Sequence, residues 1–79
     1  MAAHDRPAFR RSLAIEGWST DSTWGYDEVF ECYWAELRGP SGGHRIGPEG
    51  LLVTLGALSG AVARVVGCAQ DEAYLALTA

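Results

Sequence analysis

An apolar run at residues 50–69, with Arg64 as its one charge, constrains this chain more than any other feature. Twenty such residues are enough to span a bilayer, and Gly56 and Gly60 have the four-residue spacing found where membrane helices pack closely. Arg64 speaks against a span, because an Arg near mid-bilayer costs about 2.5–3.5 kcal/mol on insertion. The flanks, Pro48-Glu49 and Gln70-Asp71-Glu72, also lack basic or aromatic anchors. A single long helix would carry Gly56, Gly60 and Gly67 in its interior, each costing about 1 kcal/mol relative to Ala.

The run therefore reads as buried core in two pieces. Pro48 and Glu49 suit a helix start, with Pro in the first turn and a carboxylate near the positive end of the dipole. Leu51, Leu52, Leu55 and Leu58 keep helical spacing, and Ser59-Gly60 is the expected stop. From Val62 the branched residues predict a strand, with Asp71-Glu72 as the turn into a second strand at 73–78.

Chain length limits what else can be present. Seventy-nine residues make one small globular domain over 1–79, and a chain this short buries only about 60% of its unfolded surface. Self-association or a protein partner would widen that thin margin. At 48% hydrophobic and 20% charged residues, the composition is that of a folded chain.

Residues 5–17 admit a helix capped by Asp5, or a strand in which Leu13 and Ile15 alternate with polar neighbours. Residues 18–25 are dense in turn formers and predict a loop. Residues 27–38 are ambiguous. A helix puts Val29, Phe30, Tyr33, Trp34 and Leu37 on one face, whereas a strand puts Phe30, Cys32 and Trp34 opposite Val29, Tyr33 and Leu37. The Gly39-Pro-Ser-Gly-Gly stretch ends either element and can close a hairpin onto His44-Arg45-Ile46. The expected fold is α+β, a small antiparallel sheet packed against one main helix starting near Pro48. The alternative is an all-α bundle with helices near 6–16, 27–38 and 48–68.

Charge argues about partners. The chain has a net charge of −4, and no Lys supplements its six Arg, so it lacks the basic face with which nucleic-acid binders displace counterions. Absence of Lys and Asn fits coding by a GC-rich genome, such as an actinobacterium or its phage. Between residues 21 and 36 stand Asp21, Asp27, Glu28, Glu31 and Glu36 without a basic residue, either an acidic patch for a partner or a solvated face. Two cysteines, Cys32 and Cys68, are too few for a disulfide framework and read as reduced and buried. The first residues lack a signal-peptide core, which points to the cytoplasm.

Six of the eight aromatic residues, Trp18, Trp24, Tyr26, Phe30, Tyr33 and Trp34, fall within residues 18–34. Phe30, Tyr33 and Trp34 read as core, while Trp18 and Trp24 sit in a polar stretch and are candidates for contact. Together with Tyr26, Asp27, Glu28 and Glu31 they make the expected binding surface for a protein partner. No cofactor motif is present: the loop before Pro48 is not followed by Gly-Lys-Ser/Thr. His4, Cys32, His44 and Cys68 are zinc-ligand types, but none stands at close ligand spacing. A nucleophilic or small-molecule site from Cys32, His44 and Arg45 requires a thiol–base contact that only the fold can supply. The function expected is a non-enzymatic interaction or inhibitory accessory protein, with a homo-oligomeric assembly subunit as the alternative.

Overall fold

The computed structural model describes residues 8–40, 42–47 and 52–78. Four strands come first: β1 at Phe9–Ser12, β2 at Thr23–Asp27, β3 at Cys32–Gly39 and β4 at Gly42–Ile46. They form one antiparallel sheet in the order β1-β2-β3-β4, followed by helices α1 (Leu55–Val66) and α2 (Gln70–Thr78). The α+β expectation holds, and the three-helix bundle does not.

β3 is the organising strand, and its sequence shows why. From Ala35 to Arg38 apolar and charged residues alternate, and the strand period puts Tyr33, Ala35 and Leu37 on one buried face and Trp34, Glu36 and Arg38 on the other. On the buried face, Tyr26 lies opposite Tyr33 and Trp24 opposite Ala35 across β2, and Ile46 lies opposite Ala35 across β4. Phe9 meets Trp24 edge-on at 5.2 Å, and Tyr26 meets Tyr33 edge-on at 5.1 Å, a geometry that ring quadrupoles favour. Leu58 and Val62, one helical turn apart on α1, close this face from above.

Residues 13–22, between β1 and β2, are tied down at both ends. Leu13 enters the core and its N–H donates to the Ser22 carbonyl at 2.8 Å. The Arg38 N–H donates to the buried Ser22 Oγ at 3.0 Å, and the Ser19 N–H donates to the Arg38 carbonyl at 2.7 Å. The β3–β4 hairpin, with Gly39 opposite Gly42, is as the glycine-rich stretch predicts.

The second half of the chain corrects the sequence reading. The expected start at Pro48-Glu49 lies outside the described residues. Thr54 caps α1, its Oγ1 accepting from the Ala57 N–H at 3.0 Å. The helix then runs through Ser59-Gly60, where a stop was expected, and through Val62, where a strand was expected. It ends at Gly67, whose φ of +79° is the left-handed closure that glycine accepts without strain. Asp71 and Glu72 are not a turn between strands: they occupy the first turn of α2, where carboxylates favour the helix dipole.

The two interior glycines are tolerated because α2 begins beside them. Gln70 Nε2 donates to the Gly56 carbonyl at 3.0 Å, and the Gln70 side chain lies next to Gly60. A methyl at Gly60 would meet that side chain at 3.7 Å, an ordinary contact. Gly60→Ala is therefore expected to raise the stability by about 0.5–1 kcal/mol, through helix propensity and a less flexible unfolded chain. Urea titration followed by far-ultraviolet circular dichroism checks this, and a lowered midpoint would contradict the packing at Gly60. Among the described residues, no helix is long and apolar enough to cross a membrane.

Candidate functional site: the open face of the sheet

Strand alternation leaves a second face on the sheet, turned away from α1. Reading across the strands, Arg10 on β1 stands opposite Gly25 on β2, and Gly25 opposite Trp34 on β3. The next row is Ser12, Thr23, Glu36 and Arg45, one residue from each strand. Arg38 follows on β3, and Asp27 lies at the other end of β2.

Gly25 is the centre of this arrangement. A Cβ at Gly25 would stand 2.8 Å from Trp34 Cζ2, so the indole lies down over β2 in the space a side chain would take. The Arg10 guanidinium reaches the same ring from β1, 5.8 Å from its centroid, and its Nη2 is 3.8 Å from Glu36 Oε1. Each contact is worth about 1 kcal/mol or less at such exposure, so together they orient side chains more than they stabilise the fold. The result is a half-buried indole resting over Gly25 with Arg10 beside it.

Three shallow hollows lie along this face, the middle one sharing lining residues with each of the others. One, at the β2–β3 turn, is lined by Glu28, Val29, Asp27, Arg10 and Trp34. The middle one is lined by Arg10, Asp27, Trp34, Glu36 and Arg45. The third continues past Glu36 and Arg45 to Arg38 and His44. Together they make a row of shallow, solvent-open depressions, a furrow along β3 on the open face.

The turn at the head of the furrow is residues 28–31. Asp27 Oδ1 accepts from the N–H groups of Val29 and Phe30, at 2.8 and 3.0 Å, which folds the loop back on the strand. Glu31 closes it with a φ of +56°. The tip consequently displays Val29 and Phe30, 85% and 52% exposed, although Phe30 is a residue the sequence assigns to the core.

The binding surface expected from the sequence is only partly on the surface. Trp24 and Tyr26 are 3% and 8% exposed, because β2 faces them onto the helix side of the sheet, so neither is available as a contact residue. Trp18 is half-buried, its ring packed on Gly39 at the end of the core. Asp27 is half-buried and holds the turn. Glu28 and Glu31 are exposed there. Trp34 is on the open face although the sequence assigns it to the core; the signal is that a strand puts it on the same face as Glu36 and Arg38. Arg10 was missed because its partner Gly25 lies fifteen positions away on another strand.

The competing site does not assemble. Cys32 pairs with Asp27 at one end of β3, while His44 pairs with Leu37, five residues along. That separation is about 17 Å at strand rise, so no thiol–base contact exists. The Cys32 thiol is buried and donates to the Phe30 carbonyl at 3.3 Å, and both cysteines are free. Among the described residues, no three His, Cys, Asp or Glu side chains gather as metal ligands, and His4 lies outside them.

Comparison with protein-family models, with curated proteins and with solved structures returns no match for this chain, so the reading of the site rests on its own geometry.

Proposed function

We propose that this chain is a non-enzymatic module that binds a protein partner in the cytoplasm through the open face of its sheet. The observation that carries the reading is Trp34, a half-buried indole that rests over Gly25 and lines two adjacent hollows of the open face. Trp and Arg are the residues that most often concentrate binding energy, and they do so when rigid and surrounded by neutral contacts. Here Arg10 lies beside the ring and Arg45 lines the same hollow, and the exposed Val29 and Phe30 add apolar area at the β2–β3 turn. The free thiols of Cys32 and Cys68 fit a reducing compartment.

The binding surface so proposed retains Asp27, Glu28 and Glu31 from the sequence reading and replaces Trp18, Trp24 and Tyr26 with Trp34, Arg10 and Phe30. Affinity capture from the native host tests it. Trp34→Ala is expected to weaken retention of the partner roughly 30-fold, the loss of about 2 kcal/mol typical of a central aromatic. Tyr74→Ala, which removes an exposed aromatic on α2, is expected to leave retention unchanged. Equal retention by both variants would place the interface elsewhere. Solution mass of the same samples separates a heterologous partner from a second copy of the chain.

A further inference from the structure

Charge is not spread evenly along the furrow. At the head stand Asp27 and Glu28, with Arg10 as the one cation lining the same hollow. At the foot stand Arg38 and Arg45, both exposed, while Glu36 beside them is already engaged by Arg10. Three of the chain's six Arg residues (Arg10, Arg38 and Arg45) project from one sheet face of a protein with net charge −4.

From this polarity, and resting on the reading of the furrow as a binding surface, we infer that the furrow takes an extended, charge-polarised segment of a partner protein. The segment places a Lys or Arg at the Asp27–Glu28 head, an aromatic or aliphatic side chain on Trp34, and Asp or Glu residues against Arg45 and Arg38. Spacing supports the extended form. Rows on one face of a strand repeat about every 7 Å, and alternate side chains of an extended chain repeat at the same interval. The distance from Cys32 to Arg38 is then about 20 Å, or some six residues of ligand. A basic side chain at the head would lay its alkyl stem along Val29, which is 85% exposed, and bring its charge to Glu28. Single-stranded nucleic acid also stacks on aromatic and Arg side chains, but the carboxylates of Asp27, Glu28 and Glu36 in the same furrow oppose a phosphate backbone.

The test is selection of a displayed library of random twelve-residue peptides on the whole chain, followed by affinity measurement on synthetic copies of the winners. Winners are expected to carry basic and acidic residues at opposite ends with an aromatic between them at alternate positions. Arg45→Glu, at an exposed position, is expected to weaken them about tenfold, and exchanging the peptide's acidic residues for Lys is expected to restore most of that loss. Raising the salt concentration is expected to shrink the difference. Winners that depend on Trp34 but show no charge order and ignore Arg45→Glu would overturn the polarity while leaving the binding face in place. No winners, or winners indifferent to Trp34→Ala, would overturn the binding face and the inference with it. Trp34-dependent binding of a twelve-residue oligothymidylate tighter than that of any winner would overturn the inference in favour of nucleic acid.

Discussion

Gly25→Ala is expected to lower the unfolding free energy by about 3 kcal/mol, at the upper end of what overpacking costs. The reason is geometric. A methyl at this position would overlap the carbonyl oxygen of Phe9, come within 3.1 Å of the Phe9 carbonyl carbon, and press on Trp34 Cζ2 at 2.8 Å. The indole can swing away, but Phe9 meets the methyl with backbone, and no rotamer change removes it. β1 must therefore separate from β2 over the register that pairs Arg10 with Gly25. For a chain of this size, with roughly 4–12 kcal/mol of stability to lose, the effect is large. Gly43→Ala is the control: its methyl would meet the Leu37 carbonyl at 3.5 Å, an ordinary contact, and the expected change is within about 0.5 kcal/mol. Urea midpoints of the two variants decide the matter, and an unchanged midpoint for Gly25→Ala would mean that β1 does not pair in this register. The same substitution is expected to weaken ligand binding wherever the variant remains folded, because it dislodges Trp34.

Leu58→Ala is expected to cost about 3–4 kcal/mol. Leu58 is fully buried, and deletion of such a side chain removes its transfer free energy and leaves a cavity that the neighbours fill only in part. Its position also tests the continuity of α1, since Val62 is buried on the same helical face one turn on. Val62→Ala is therefore expected to destabilise as well, by a smaller amount in keeping with its size. Leu75 on α2, 66% exposed, provides the contrast: Leu75→Ala is expected to change stability by no more than about 0.5 kcal/mol. Thermal and urea unfolding of the three variants would show it, and similar midpoints for Leu58→Ala and Leu75→Ala would contradict the placement of α1 on the sheet.

Part of the sheet was legible in the residues, but β2 was not, since Thr23-Trp24-Gly25 lies in a stretch whose turn formers predict a loop. Branched and aromatic side chains at 29–34 offered a strand as one of two readings for 27–38, and the glycines at 39–43 a hairpin; the structure has a strand from Cys32 and the hairpin. The helix was misjudged in extent because propensity was weighed alone. Two interior glycines cost about 2 kcal/mol together, whereas burying Leu58 and Val62 against β3 and β4 contributes about 1.5–3 kcal/mol each. α2 was missed for a related reason: a short helix with Asp71 and Glu72 at its start resembles a turn until α1 is there to pack against.

The candidate site was harder to read. Its parts come from β1, β2, β3 and β4, at positions 10, 25, 34 and 45, and no local pattern links them. A strand pattern shows which residues share a face but leaves open which face a helix will cover. The sequence by itself favoured the α+β class, marked the chain reversal at the 39–43 glycines and limited β3 to two readings, because these follow from local periodicity and turn chemistry. The tertiary structure alone decided that Trp24 and Tyr26 face the helix side of the sheet, that α1 runs on through Val62 to Val66 where a strand was expected, and that Trp34 lies on the open face. These outcomes depend on which apolar face meets which, and that is settled by burial energy between elements far apart in the chain.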